Sequence, residues 1–263
     1  MNPLRPIAFI LTSTNHGSLL VNRHDYKLVQ NGGYGLGYQI LNNSAYDQNE
    51  VYTVLDLLKL RKQHHGDGVL AIDCGANVGV HTIEWSKLMY GWGQVISIEA
   101  QERIFYALAG NVTINNCFNA KLIWGAVGKS SGIIRIPNLD HFTPSSFGSF
   151  EIQQKQGNEF IGQEIDFSEN NMTDTRLLTI DELVLPRVDL IKIDIEGMEI
   201  DALYGASETI QKNKPILVIE KIKSNETVIN EIISGYGYKS FPFGLNILAI
   251  HESDPTINSI KIN

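Results

Sequence analysis

The stretch from Val69 to Trp85 constrains the fold more than any other part of the sequence. It opens with a short apolar run, residues 69–72, which is too short for a helix and therefore predicts a buried strand. The chain then turns on Gly75 and Gly79, and apolar residues recur at helical spacing from Val78 onward. A strand, a glycine turn and a helix in this order lay a ligand across the carboxyl edge of a parallel sheet.

The residue types in this turn fit a ligand with a small amino-acid end. Gly75 lets backbone approach a ligand closely, and Gly79 does so at a helix start, where free N–H groups attract a carboxylate or phosphate. Asp73 at the strand end can accept from an ammonium or hydroxyl group. The spacing G-x-N-x-G puts Asn77 where the dinucleotide fingerprint has its second glycine, which argues against NAD or FAD. A tight turn without a ligand is the structural alternative.

The composition is that of an acidic globular protein. The chain has 263 residues, of which 43% are hydrophobic, and a net charge of −8. An acidic surface argues against a nucleic-acid partner, and no apolar run approaches the length of a membrane span. The two cysteines, Cys74 and Cys117, imply no disulfide framework, so we expect the protein to reside in a reducing compartment. We therefore expect a soluble, cytoplasmic protein; no oligomeric state follows from the sequence.

Two further predicted strands end in residues that suit a nucleoside. Residues 94–100 form a strand that ends in Glu99, at about the separation at which a dinucleotide fold places a carboxylate on ribose hydroxyls. An ionised carboxylate can accept from both hydroxyls, although Glu99 could instead be a charge at the start of the next helix. Residues 120–127 form a third strand, and Gly125 and Ala126 at its end leave room for a planar ring.

Two segments lie outside the regular alternation of strands and helices. Residues 1–48 form an N-terminal extension, whose glycine-rich residues 31–38 predict a surface hairpin or loop, or alternatively a flap over a pocket. Residues 137–175 form a polar insertion, either a lid or binding loop or a disordered segment. Residues 49–263 are the main domain. Glu50, at the start of its first helix, could reach the amino-acid end of a ligand or simply be a solvated helix start.

The repeated alternation predicts an α/β fold with a doubly wound parallel sheet and ligands at the carboxyl ends of its strands. A buried strand within residues 188–197 runs into a turn that carries Asp194 and Glu196. Two closing strands, around 238–243 and 246–251, predict an antiparallel hairpin. The main helices are predicted at residues 49–62, 102–116, 198–210 and 226–233.

Three motifs carry a family resemblance: Asp73-Cys74-Gly75-Ala76-Asn77-Val78-Gly79, Ile98-Glu99-Ala100 and Ile191-Lys192-Ile193-Asp194-Ile195-Glu196-Gly197-Met198-Glu199. With Leu203-x-Gly205-Ala206 and the strand 215–220, they resemble the FkbM-type family of S-adenosylmethionine-dependent methyltransferases over roughly residues 50–220. The resemblance implies a Rossmann-like, mostly parallel seven-stranded sheet, the class I methyltransferase fold, with an antiparallel C-terminal hairpin. Residues 49–263 would then be the methyltransferase domain.

The resemblance also implies which residues bind S-adenosylmethionine. The predicted set is Glu50, Asp73, Gly75, Ala76, Asn77, Gly79, Thr82, Glu99, Ala100, Gly125 and Ala126. Within this set the glycine turn would hold the methionine end, Glu99 would bind the ribose, and the last two residues would border adenine. Thr82 and His81, in the first helical turn, would also touch the ligand.

The same resemblance suggests candidates for catalysis. The enzyme mainly has to align a nucleophile with the sulfonium methyl group, and a hydroxyl acceptor must also lose its proton to a carboxylate or histidine. Asp194 is the first candidate, although it could instead only hold the cofactor's amine or the acceptor. Glu196 is second and could instead cap the next helix. His81 follows, with His141 and Glu220 as weaker candidates.

These observations lead to one expected function and two alternatives. We expect O-methylation of a hydroxyl on a sugar or small natural product, the range that the resemblance implies. An NAD-linked oxidoreductase on a Rossmann-like fold is the first alternative, and Asn77 and the absent third glycine argue against it. A non-catalytic cofactor-binding protein is the second. No cluster of His, Cys and carboxylate residues has metal-site spacing, so no metal is predicted.

Overall fold

The structure is a computed structural model that describes residues 5–260 of the chain. Its strands are β1 (Phe9–Thr14), β2 (Gly17–Asn22), β3 (Lys27–Val29), β4 (Gly32–Tyr34), β5 (Val69–Cys74), β6 (Gly93–Glu99), β7 (Ala120–Trp124), β8 (Ala126–Val127), β9 (Gly132–Pro137), β10 (Met172–Leu178), β11 (Leu190–Ile193), β12 (Ile216–Glu220), β13 (Tyr238–Phe243) and β14 (Asn246–His251). Its α-helices are α1 (Leu36–Asn43), α2 (Gln48–His65), α3 (Val80–Leu88), α4 (Glu102–Ile114), α5 (Glu199–Tyr204), α6 (Ser207–Asn213) and α7 (Glu226–Gly235).

Seven strands form the central sheet, in the order β7-β6-β5-β11-β12-β14-β13. The five strands from β7 to β12 pair in parallel, whereas β14 pairs antiparallel with both β12 and β13. The predicted doubly wound, mostly parallel, seven-stranded sheet with an antiparallel C-terminal hairpin is therefore confirmed. Within residues 5–260, no helix combines the length and the apolar character that crossing a bilayer requires.

The strand order reverses between β5 and β11, which are the neighbours at the middle of the sheet. Both strands are buried at every residue, as expected for parallel strands covered by helices on both faces. Cys74 pairs with Ile193 in the register of these strands. The turns that begin at Gly75 and Asp194 therefore leave the sheet side by side, at the position where open α/β sheets bind their ligands.

These two turns touch through their backbones. The Asp194 N–H donates to the Cys74 carbonyl oxygen at 3.1 Å. Gly75 has a φ of +80°, and a Cβ atom at this residue would lie 1.7 Å from the carbonyl oxygen of Asp194. Glycine is thus required at position 75 by the contact between the turns as well as by its left-handed backbone.

The N-terminal segment packs on the helical layer that follows the glycine turn. β1 and β2 form an antiparallel hairpin, and its buried residues join the core formed by α3 and α4. Asn111 on α4 is buried, and its side-chain amide donates to the carbonyl oxygens of Leu20 and Val78 at 3.1 and 2.9 Å. This one side chain ties the hairpin to the glycine turn. β3 and β4 form a second hairpin over part of the glycine-rich segment.

The insertion connects two strands of a small second sheet, whose order is β8-β10-β9. β9 and β10 pair antiparallel, and the chain between them packs through the buried side chains of Phe147, Phe150 and Ile161. Residues 137–175 are therefore anchored by apolar burial at both the strands and the loop that joins them.

The predicted continuous helix over residues 198–210 is wrong, because the chain breaks into α5 and α6. Asp181 causes the break: its N–H donates to the Gly205 carbonyl oxygen at 3.0 Å, and its carboxylate accepts from the N–H groups of Glu208 and Thr209 at 3.1 and 2.8 Å. The Asp181 side chain thus caps α6 from outside the helix. A Cβ atom at Gly205 would also lie 2.1 Å from the carbonyl oxygen of Gly128.

Replacing Gly75 by alanine tests the contact between the two turns. Gly91 is the control, because it has a similar φ of +82° but no atom within 4 Å of an added Cβ. We expect Gly91→Ala to lower the free energy of unfolding by about 1–2 kcal/mol, through backbone strain alone. Gly75→Ala should cost about 3 kcal/mol or more, because the clash adds to that strain. Urea unfolding of the two variants measures the difference, and equal losses would contradict the packing role.

Candidate active site

A cavity of about 340 Å³ lies at the carboxyl edge of the central sheet, over the point where the strand order reverses. Most of the predicted site residues line it together: Asp73, Gly75, Ala76, Asn77, His81, Glu99, Ala100, Gly125, Ala126, Asp194 and Glu196. The ends of four neighbouring strands thus contribute to one cleft. Three predicted residues do not line it, namely Glu50, Gly79 and Thr82.

Gly79 and Thr82 support the cavity from behind its wall. Gly79 has a φ of +93°, and a Cβ atom there would lie 2.5 Å from Cδ1 of Leu108, so the packing of α3 on α4 accounts for this glycine. Thr82 is fully buried, and its hydroxyl lies 2.8 Å from Oδ2 of Asp73 and 2.7 Å from the hydroxyl of Ser97. Thr82 therefore orients the Asp73 carboxylate.

Glu50 holds another cavity residue in place. Its Oε1 lies 3.2 Å from Nε2 of the buried His81, and its Oε2 accepts from the Asn246 amide at 2.8 Å. Burial alone would raise the pKa of Glu50, but the contact with His81 and the charge of Lys192 hold that pKa below its ordinary value. Glu50 is therefore an ionised carboxylate that orients the His81 ring.

Asp73 presents one unsatisfied oxygen. Its Oδ2 accepts from Thr82, whereas its Oδ1 is buried and receives no hydrogen bond from residues 5–260. Leaving a buried polar atom without a partner costs about 1–3 kcal/mol, more for a charged group. Because Asp73 lines the cavity, a donor carried by a ligand would satisfy this atom.

Glu99 is hydrogen-bonded to the backbone of the glycine turn. Its Oε2 accepts from the backbone N–H of Asn77 at 2.9 Å, and its Oε1 accepts from that of Gln101 at 2.8 Å. Burial raises the pKa of Glu99 to about 7 despite these two hydrogen bonds. Each oxygen keeps a lone pair, so the carboxylate can still accept from hydroxyl groups in the cavity.

Three carboxylates gather at the ends of β11 and β12. Oxygens of Asp194, Glu196 and Glu220 lie within 4.8 Å of one another. Lys192 Nζ lies 2.6 Å from Oδ2 of Asp194, and Lys223 Nζ lies 2.8 Å from Oε2 of Glu196. The contact between Lys223 and Glu196 is an ion pair by distance, but its angles do not meet the criteria for a hydrogen bond. Oxygen ligands at this spacing also suit a divalent cation, although two ammonium groups already supply positive charge here.

Two of these carboxyl groups resist ionisation. Burial and the charge of Asp194 raise the pKa of Glu196 to about 8 and that of Glu220 to about 9. Glu196 also has a φ of +55°, in the left-handed region, so the turn after β11 holds a non-glycine residue under backbone strain. The group of three carboxylates therefore retains protons at neutral pH.

Residues that the sequence analysis did not select complete the cavity wall. The N-terminal segment contributes Tyr34, Gly35, Leu36, Gln39 and Tyr46, and the insertion contributes Ser146, Gly148, Ser149, Phe150, Ile152 and Glu159. Both the proposed flap and the proposed lid thus border the cleft. Lys192, within the third motif, also lines the cavity. A lysine in a predicted buried strand requires a partner of opposite charge, so the sequence could have identified this residue as part of the site.

The Glu159 carboxylate joins the N-terminal segment, the insertion and the loop after β12. Glu159 accepts from the Tyr34 hydroxyl, and its Oε2 lies 3.3 Å from Nζ of Lys223. Lys27 Nζ lies 3.5 Å from Oε1 of the same carboxylate. Three distant parts of the chain are therefore linked at the cavity wall, which Tyr34, Glu159 and Lys223 line.

His141, the remaining histidine candidate, lies outside the cavity lining. It stacks on Phe147, with ring centroids 4.7 Å apart. Burial, together with the charge of Arg103, lowers the pKa of His141 to about 4. This histidine is thus a neutral packing residue at physiological pH.

Comparison with known proteins places the chain in a family. Residues 73–240 match the family model described as the methyltransferase FkbM domain. The methyltransferase sdnD of Sordaria araneosa is 23% identical over 158 residues, which cover 52% of this chain and 60% of that protein. The chain thus spans less than two thirds of the length of this relative.

Two solved structures illustrate the likeness. The methyltransferase FkbM from Methylobacillus flagellatus KT is 20% identical, with a TM-score of 0.47 over 70% of this chain and 43% of that chain. A precorrin-6y C5,15-methyltransferase from Geobacter metallireducens GS-15 is 14% identical, with a TM-score of 0.42 over 80% of this chain and 90% of that chain. The family match covers more than half of the sequence and contains the three motifs that line the cavity. The chain therefore belongs to the FkbM family of methyltransferases.

Proposed function

We propose that this protein transfers a methyl group from S-adenosylmethionine to a hydroxyl of a sugar or small natural product. The observation that carries the cofactor assignment is the buried, unpartnered Oδ1 of Asp73 in the wall of the cavity. An ammonium group is the natural donor for such an oxygen, since a charge-assisted hydrogen bond is stronger than a neutral one. The amino-acid end of the cofactor carries that group.

The rest of the cavity fits the same molecule. Glu99 keeps lone pairs for the ribose hydroxyls, and the small residues Gly125 and Ala126 border the space for adenine. Gly75 and Asn77 line the cleft between these two ends. When bound, S-adenosylmethionine supplies an electrophilic methyl group on its sulfonium centre.

The acceptor assignment rests on the polar character of the wall beyond the cofactor residues. Glu159, Glu196, Glu220 and Lys223 line the cavity together with apolar residues that include Phe150, Ile152, Ile222 and Leu245. Buried ionisable side chains need hydrogen-bonding partners, which the hydroxyl groups of an acceptor can supply and a purely aliphatic acceptor cannot. These four side chains favour a hydroxylated acceptor, such as a sugar or a small natural product.

The chain's own residues would hold the acceptor and accept its proton. Asp194, Glu196 and His81 are the proposed catalytic candidates, because all three line the cavity next to the cofactor residues. An NAD-linked oxidoreductase is the alternative in the same fold. The Asn77 N–H, which stands where a pyrophosphate would rest, is already donated to Glu99, and this disfavours NAD.

Replacing Asp73 by asparagine tests the cofactor site. S-Adenosylhomocysteine should raise the melting temperature of the wild-type protein, whereas NADH should not, because only a ligand of the folded state stabilises it. Asp73→Asn removes the charge that faces the ammonium group, so the affinity measured by calorimetry should fall about 10- to 100-fold.

Asp56→Asn is the control for this substitution, since Asp56 is largely exposed on α2 and pairs with Lys59 on the same helix. It should leave the affinity unchanged. Stabilisation by NADH instead of S-adenosylhomocysteine would support the oxidoreductase. Unchanged binding by Asp73→Asn would remove Asp73 from the cofactor site.

Labelled methyl transfer tests the reaction class. The protein is incubated with methyl-labelled S-adenosylmethionine and a panel of sugars and hydroxylated natural products. We expect label in at least one hydroxylated member, as an alkali-stable ether, because a polar wall recognises hydroxyl groups. Label in an alkali-labile ester or on nitrogen would contradict O-methylation of a hydroxyl. Binding of S-adenosylhomocysteine without any transfer would favour the non-catalytic alternative.

A further inference from the structure

Each of the three catalytic candidates already has an ionisable partner. The pairs are Asp194 Oδ2 with Lys192 Nζ at 2.6 Å, Glu196 Oε2 with Lys223 Nζ at 2.8 Å, and His81 Nε2 with Glu50 Oε1 at 3.2 Å. An ammonium group beside a carboxylate favours the ionised form and so weakens the carboxylate as a proton acceptor. Lys223 accordingly lowers the pKa of Glu196 against the larger effect of burial, which still leaves that pKa raised. The three contacts position the candidate side chains, and each engages one of their polar atoms.

Glu220 differs from all three because it forms no ion pair within residues 5–260. It ends β12 and lines the cavity, and its Oε2 is buried without a hydrogen bond from any described residue. The two nearby lysines pair with Asp194 and Glu196 instead. Glu220 is therefore a cavity-lining carboxyl group whose lone pairs are not committed to another side chain within residues 5–260.

We propose that Glu220 is the catalytic residue that accepts the proton of the acceptor hydroxyl. The inference rests on the proposed function and deepens it by naming the base. Glu220 lies within 4.8 Å of Asp194 and Glu196, at the same edge of the sheet as the cofactor residues. A base must have a free lone pair within reach of the proton that it removes. Both carboxyl groups have one, but Asp194 shares its carboxylate with the Lys192 ammonium group and Glu220 does not.

The proposed step balances in atoms and charge. The hydroxyl oxygen of the acceptor forms a bond to the methyl carbon while the sulfur–methyl bond breaks, and the electron pair of that bond returns to sulfur. The hydroxyl proton passes to an oxygen of the Glu220 carboxylate. The products are a methyl ether, the neutral thioether S-adenosylhomocysteine and a protonated Glu220, which then releases its proton to water.

The surroundings of Glu220 make it basic. Burial is the largest cause that raises its pKa to about 9, followed by the charges of Asp194, Glu196 and Glu199, while Lys192 lowers it. Two further charged groups lie close by: Lys223, which pairs with Glu196, and Glu50, which bonds the strand partner of Glu220, Asn246. Negative charge thus prevails around Glu220, and a proton acceptor of raised pKa removes a hydroxyl proton more readily.

Glu220→Gln is the deciding variant, because it keeps the size of the side chain and removes the proton-accepting oxygen. With the hydroxyl compound that the wild-type protein labels, we expect kcat to fall at least about 100-fold. The affinity for S-adenosylhomocysteine should stay within twofold. The wild-type kcat should rise with pH towards about 9, and the residual activity of the variant should lose that rise.

Glu226→Gln is the matched control, since Glu226 is an exposed glutamate at the start of α7 that pairs with Lys221. It should leave kcat and its pH profile unchanged. If Glu220→Gln retains a third or more of the wild-type kcat, Glu220 is not the base and the proposal is overturned.

A stability measurement tests the raised pKa that the proposal expects of Glu220, even if no acceptor is labelled. The folded-state pKa of Glu220, about 9, lies above its ordinary value of 4.5, so its contribution to stability is complete below pH 4.5 and is lost as the pH rises towards 9. Glu220→Gln should therefore match wild type at pH 4 and be the more stable protein at pH 8.5 in urea unfolding. A pH-independent difference would overturn the proposal, because Glu220 would then be an ordinary carboxylate. A wild-type protein that fails to bind S-adenosylhomocysteine would instead count against the proposed function.

Discussion

The cleft depends on the contact between two backbone turns at the point where the strand order reverses. β5 and β11 are neighbours in register, so the turns after them leave the sheet together, and only a glycine at position 75 lets the carbonyl of Asp194 approach. The contact fixes the distance between the glycine turn after β5 and the acidic turn after β11. A larger residue at position 75 would separate the two halves of the site, which no adjustment of side chains could restore.

The second constraint is electrostatic. The cavity concentrates carboxylates, and burying each of them is tolerable only with a donor or an ammonium group. Thr82 donates a hydrogen bond to Asp73, backbone N–H groups donate to Glu99, and two lysines form ion pairs with Asp194 and Glu196. The groups without such partners, Oδ1 of Asp73 and Oε2 of Glu220, then mark where a ligand has to supply the missing contact.

Local sequence signals predicted the elements well where one periodicity dominated. The buried strands, the glycine turn and the closing hairpin follow from apolar runs and turn residues. The prediction of one continuous helix over residues 198–210 was wrong, because the break in that helix depends on Asp181, which is distant in sequence. Nothing in the local sequence marked Glu159 and Lys223 as residues of the site. They meet at the cavity only in the folded protein, where the insertion packs near the loop after β12.

The sequence by itself determined the sheet, its turns and the residue types that meet at its carboxyl edge, because strand periodicity and glycine conformation act over a few residues. The order of the motifs along the chain also determined that Asp73, Glu99 and Asp194 lie at the carboxyl ends of strands of one sheet. Only the tertiary structure decided which carboxylates are paired and which are free, because ion pairing and desolvation depend on neighbours from distant segments. Glu220 could therefore be distinguished from Asp194 only in the folded protein.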